Sequence, residues 1–375
     1  MNTRNTRRRR TVIALTSSAM AVSLAGCGVV DGIGGSETKA SPTKGDDIKV
    51  GLLLPETENT RYEKFDYPII KSEVAKLTNN KGSVVYANAG ADAKKQSAQL
   101  QEMVDAKVDV LLVDAVDSKS IASGVQKAKD AGIPVIAYDR LAQGPIDAYV
   151  SFDNELVGEV QGKALVSELG SGAASKKIIM MNGSVTDPNA AQFKAGAMTE
   201  LKDKVVIAKT YDTKDWLPSE AKKNMEKAIE AVGLDNIAGV YSANDGIAGA
   251  VIDVMKTMGV STVPPVTGQD AELNAVQRIV KGDQFMSVYK SYPQEASAAA
   301  EMAVARVQGR SIEFDALASD KVDSPTTKDV PAQLVPVVAL TQNNIEDTVI
   351  QDGIYKIKDI CTADYESACD AIDLK

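Results

Sequence analysis

At 375 residues the chain is long enough for two domains, each with a sizeable core. A net charge of −9 argues against nucleic acid, whose binding relies on clustered Lys and Arg. There is no histidine, which removes the commonest general base and the commonest metal ligand together.

The N-terminus reads as an export signal. Arg7-Arg8-Arg9-Arg10 forms a basic region, and Thr11 to Leu24 is apolar but short for a membrane span. It ends in Leu24-Ala25-Gly26-Cys27, which resembles the bacterial lipobox. That resemblance implies a signal peptide over 1–26 and a diacylglyceryl group on Cys27; two acyl chains are about what stable anchoring requires. The bland alternative is a plain secretory signal with an incidental Cys. The rest of 27–47 is rich in Gly, Ser, Thr, Lys and Asp and reads as a tether. Cys361 and Cys369 then remain, and outside the cytoplasm so close a pair is expected to form a disulfide. The region 359–375 is expected to be a tail carrying it. The spacing matches no zinc pattern.

From Val50 onward strand-like and helix-like segments alternate, the pattern of parallel sheets flanked by helices. Val50 to Leu54 is a buried strand by its continuous apolar run. Gln96 to Lys107 puts Leu100, Met103 and Val104 on one helical face; Val108 to Val113 follows as a strand, then a helix to Ala131 stopped by Gly132. Met225, Ala228, Ile229 and Val232 form another stripe, as do Ile247, Val251, Val254 and Met258, and both read as core. No phosphate-binding glycine loop is present, so no cofactor is expected and no metal is assigned.

Several apolar runs stop in polar clusters: Tyr138 before Asp139-Arg140, Phe152 before Asp153-Asn154, then Asn182-Gly183, Asn244-Asp245, Gln269-Asp270 and Tyr289-Lys290. In parallel α/β sheets ligands bind beyond the carboxyl ends of the strands, so these clusters outline a cleft. Carboxylates, guanidinium forks and amides suit the paired hydroxyls of a sugar, and Trp216 offers a ring for a pyranose face.

In order, these clusters resemble the periplasmic-type sugar-binding proteins of ABC transporters, with the D-xylose-binding branch closest. The resemblance spans 48–358 and is carried by Thr60-Arg61-Tyr62, Ala137 to Arg140, Ser151 to Glu155, Gly183 to Ala190, Asp215 to Pro218, Ser242 to Asp245, Gly268 to Ala271, Val288 to Lys290, Lys328 to Pro331 and Asp347 to Gly353. It implies a two-lobed type I fold with a three-segment hinge: 48–152 plus about 290–325 in the N-terminal lobe, 153–289 plus about 326–358 in the C-terminal lobe. It also implies ligand contacts at Arg61, Tyr62, Asp139, Arg140, Asp187, Asn189, Trp216, Asn244, Asp270 and Lys290. Asp153 and Asn154 read better as a helix cap, Asp187 equally as a cap or a contact, Trp216 alternatively as core, and Asp245 as the partner of a nearby base. Relatives usually carry Trp at Tyr62 and Asn at Pro188, and a different segment at Pro55 to Asn59.

The expected function is an extracytoplasmic lipoprotein, held to the outer face of the cell membrane. It would deliver a monosaccharide, D-xylose first, to an ABC permease and its ATPase by hinge closure. It is expected to be a monomer and not an enzyme. The alternative is a sensory protein presenting glucose, arabinose or another monosaccharide to a receptor. A two-lobed repressor lacks support because the chain opens with a signal in place of a basic helix-turn-helix. A glycosidase or isomerase reading would need Asp139 and Asp270 as its carboxylates.

Overall fold

The computed structural model describes residues 43–375. The signal peptide, Cys27 and most of the tether lie outside the described residues.

The first sheet is seven-stranded, in the order β10-β11-β5-β4-β3-β1-β2. Its parallel strands are β1 (Lys49–Leu54), β2 (Ser83–Asn88), β3 (Val110–Val113), β4 (Val135–Tyr138), β5 (Ala148–Phe152) and β11 (Val330–Val335), and β10 (Asp320–Val322) pairs antiparallel at the edge. Strands β3, β4 and β5 are buried throughout, as expected of strands covered on both faces. Helices α1 (Tyr67–Leu77), α2 (Ala93–Asp105) and α3 (Ala122–Asp130) return the chain between them. Leu100 and Met103 of α2 pack into one core as expected, while the helix starts three residues earlier than the apolar stripe, at an Asp92 cap accepting from Lys94 and Lys95.

In the second lobe β6 (Lys177–Asn182) lies between β7 (Val206–Asp212) and β8 (Gly239–Ser242), all parallel. Isolated bridges Val240–Val266 and Gln269–Val288 extend this sheet to β9 (Ser287–Lys290), which pairs antiparallel with β12 (Val337–Leu340). Helices α4 (Asn154–Leu169), α5 (Pro188–Leu201), α6 (Pro218–Val232), α7 (Asp245–Thr257) and α8 (Leu273–Lys281) flank it. Helices α4 and α5 meet backbone to backbone: a Cβ on Gly158 would sit 1.9 Å from the Phe193 carbonyl oxygen, and one on Gly196 1.9 Å from that of Glu155. Only glycine allows this approach.

The chain crosses between lobes at β5 to α4, at β9 to α9 (Tyr292–Gln308), and at β11 to β12. Asp153 caps α4 at the first crossing through Leu156 N, as the sequence suggested. The third crossing differs from the expectation. Because β11 pairs with β5, residues 330–335 belong to the first sheet and the chain changes lobe at Pro336, not near 325. This segment has no apolar run long enough to reveal its sheet; only its pairing does.

Met225, Ala228, Ile247, Val251 and Val254 are core, but Met258 is exposed, because α7 ends at Thr257 before its last stripe position. In the tail Cys361 and Cys369 form the expected disulfide. Ile360, Cys369 and Leu374 pack on Val276 and Ile279 of α8. Among the described residues no helix is long and apolar enough to cross a membrane.

Candidate functional site

The carboxyl ends of strands from both lobes meet at one cavity of 330 Å³, and all ten residues singled out from the sequence line it. Arg61 and Tyr62 follow β1, Asp139 and Arg140 follow β4, and Asp187 and Asn189 open α5 after β6. Trp216 follows β7, Asn244 caps α7 after β8, and Asp270 and Lys290 close the set.

Arg61 is 2 % exposed and stands at the centre of a carboxylate collar. Its Nε and Nη2 donate to Asp66 at 2.9 and 2.7 Å, its Nη1 to Asp139 at 2.6 Å, and Nη2 also to Glu295. The Tyr292 ring lies 4.4 Å from the guanidinium carbon. Burial opposes the Arg61 charge, but Asp66, Glu295 and Asp139 together raise its pKa well above the ordinary value. Burial likewise pushes Asp139 up, and Arg61, Lys290 and Arg140 outweigh it, holding the carboxyl below its usual range. Glu295 goes the other way: burial, with Asp139 and Asp66 nearby, raises it well above a normal glutamate despite Arg61. Most Arg61 donors are spent on the protein, so its main effect is to fix an ionised Asp139.

Arg140 reaches across the lobes to Asp187, Nε to Oδ2 at 3.0 Å, and donates to the Ala115 carbonyl at 3.2 Å. Asp187 caps α5, accepting from Asn189 N at 2.9 Å, and its other oxygen accepts from Trp216 Nε1 at 3.1 Å, so the capping role weighed for it holds. Asn189 Nδ2 donates to the Asp139 carbonyl and carboxylate at 3.0 and 3.1 Å. The Trp216 ring lies on Gly183, where a Cβ would come within 2.0 Å of it, and packs edge-on to Phe193 at 6.3 Å. Asn244 caps α7 through its oxygen, accepting from Ile247 N at 2.9 Å, which leaves its amide nitrogen for the cavity.

Asp270 is bound by Asn59 Nδ2 at 3.0 Å and by Lys290 Nζ at 2.9 Å. The Lys290 ammonium sits 5.0 Å from the centre of the Phe152 ring. Asp139, Trp216 and Asp270 hold left-handed φ values of 55°, 60° and 96°, strain that the surrounding hydrogen bonds sustain. For Asp270 these are Tyr292 Oη on its carbonyl and Tyr355 Oη on that of Ala271 at 3.1 Å. Among these ten, three cations (Arg61, Arg140, Lys290) face three carboxylates (Asp139, Asp187, Asp270), so they offer fixed donors and acceptors whose charges balance one another.

Among the described residues no cation lies within ion-pair distance of the Asp245 carboxyl; the nearby base, Arg278, donates instead to its backbone carbonyl at 2.9 Å. Burial lifts the Asp245 carboxyl to about 7, and it accepts from Gln284, Ser287 and Glu272 N. Asn182 turns away, bound to Thr210 and Asp212 beside it. Sequence reasoning missed Glu56, Asn59, Phe193 and Glu272 as lining residues, and the collar residues Asp66 and Glu295; Gln269 it had placed among the clusters outlining the cleft. Glu56 and Asn59 fall in the segment already marked as unusual; nothing local distinguishes Glu295 from a solvated glutamate.

Two lobes with a polar cleft between parallel sheets, and hydrogen bonds crossing that cleft, are the architecture of a binding protein. The family model described as periplasmic binding protein domain matches residues 50–311, and the chain belongs to that family. It is 36% identical over 316 residues to the D-xylose-binding periplasmic protein of Escherichia coli (strain K12), covering 83% of this chain and 92% of that one. To the protein of the same name from Haemophilus influenzae it is 34% identical, covering 86% and 95%. Among solved structures, an ABC transporter solute binding protein from Clostridium phytofermentans with bound β-D-glucose superposes with a TM-score of 0.77 at 25% identity, covering 83% of this chain and 99% of that one.

Proposed function

We propose that the chain captures a neutral monosaccharide, D-xylose first among candidates, and delivers it to an ABC importer by closing its lobes. The observation that carries this reading is the convergence of ten side chains from both lobes on one cavity, with opposite charges balanced and Trp216 and Phe193 beside them. Such an array grips paired hydroxyls by charge-assisted hydrogen bonds and gives the apolar sugar face an aromatic surface. The relatives named for D-xylose support that sugar; the glucose-bound neighbour makes glucose the next to test. A lipid on Cys27 would keep the protein at the outer face of the membrane, near the permease.

Calorimetric titration of the full-length chain, purified in detergent, against xylose, glucose, arabinose, ribose and galactose tests the reading. Micromolar or tighter one-to-one binding, about 8 kcal/mol or more, is expected for one of them. Binding of none would sink the monosaccharide assignment.

A further inference from the structure

The cavity continues beyond the ten residues. It runs along α7 over Gly246 and Gly249, between Lys222 of α6 and Asn274 and Arg278 of α8, with Glu58 facing it from the first lobe. From Asn244 to Asp253, the last α7 residue lining it, is about 13 Å of helix at 1.5 Å per residue, longer than one sugar ring.

This channel is not the gap left by parted lobes. Arg140–Asp187, Asn189–Asp139 and Asn59–Asp270 all bridge the lobes while it stays open. The α7 wall is bare at Gly246 and Gly249: a Cβ on Gly246 would make only ordinary contacts, at 3.7 Å and beyond, and one on Gly249 would press on the Arg278 guanidinium at 3.0 Å.

Polar groups in the cavity are also left over. Gln269 lines it, is 2 % exposed, and its buried Oε1 has no partner among the described residues. Arg278 spends Nε on Gln284 and Nη2 on the Asp245 carbonyl, while its Nη1 borders Gly249. The Lys222–Asp253 ion pair, 3.4 Å, stands at the far end. Both signs of charge line the channel, donors and acceptors that suit the hydroxyls of an uncharged ligand.

We infer that the cleft accepts a neutral disaccharide or comparable glycoside, one unit among the ten residues and the second in the α7 channel. This rests on the monosaccharide reading and extends it. The test titrates the full-length chain and its Gly249→Leu and Gly246→Leu variants with xylose and its β-1,4-linked disaccharide. If another monosaccharide binds best, its own disaccharide is used. Both positions are half-buried where α7 lines the cavity, and thermal melts of each variant confirm folding. The wild type is expected to bind both ligands. Each variant is expected to keep its monosaccharide affinity and lose about tenfold or more for the disaccharide, the scale of one steric mismatch in a pocket. Monosaccharide binding without disaccharide binding overturns the inference and leaves the proposed function standing. Equal weakening of both ligands in the variants also overturns it, since the channel is then not a separate subsite. Binding of neither ligand, nor of any other monosaccharide, overturns the monosaccharide reading and this inference with it.

Discussion

Replacing Arg61 by methionine is expected to destabilise the protein by about 3–5 kcal/mol at pH 7, the cost of leaving buried charges without their partner. Among the described residues Arg61 is the only cation within ion-pair distance of Asp66 and Glu295, both fully buried, and it also holds Asp139. The methionine has similar reach but no charge, so three carboxyl groups face one another across a dry site. Asp139 is depressed in the intact protein, so the stability it contributes is present above the unfolded value, near 3.9, and is lost as pH falls through the folded one. Without Arg61 burial raises the folded Asp139 pKa, and Glu295, already raised, rises further. The variant then binds more protons folded than unfolded, and its deficit relative to wild type shrinks on acidification from pH 7 toward 5. Urea unfolding of both proteins at pH 7, 6 and 5 measures this, and Glu295→Gln in the Arg61→Met background should restore part of the loss. A deficit under 1 kcal/mol, or one independent of pH, would refute the argument that burial makes this collar interdependent.

Asp245 and Glu272 sit at about 7 and about 8, raised chiefly by burial. Their folded forms hold protons that the unfolded chain releases near pH 4, so stability should fall as pH rises from 5 to 8, and Asp245→Asn should flatten the urea-midpoint profile over that window. Trp216 is the only tryptophan in the chain, so binding of the proposed sugar should change its fluorescence, and Trp216→Ala should weaken affinity by about 1–3 kcal/mol in a calorimetric titration. Tyr355→Phe removes the cap on the Ala271 carbonyl beside Asp270 and should cost about 0.5–1.5 kcal/mol of sugar affinity; the same loss in an Asp270→Ala background would show that Tyr355 does not act through Asp270. Reducing the Cys361–Cys369 disulfide should lower stability by about 2–3 kcal/mol on loop-closure entropy, read from melts with and without reductant.

The sequence by itself determined the alternation of strands and helices and the Asp153 cap, and its resemblance to sugar-binding proteins supplied the ten residues that meet at the cavity. The first two depend on local signals: a continuous apolar run marks a strand buried on both faces, and a polar cluster at its end marks the side where loops gather. The disulfide was legible for the same reason, since eight residues of separation leave little choice of partner. The tertiary structure alone decided what lies between distant segments. That β11 joins the first sheet follows from its pairing with β5, far away in the chain, and not from its own composition. That Glu295 closes a collar with Asp66 around Arg61 follows from α9 packing on the helix after β1. The open channel over Gly246 and Gly249 is decided the same way. Glycine in a helix reads identically in sequence whether a neighbouring backbone fills the space, as at Gly158, or only side-chain atoms border it, as at Gly246.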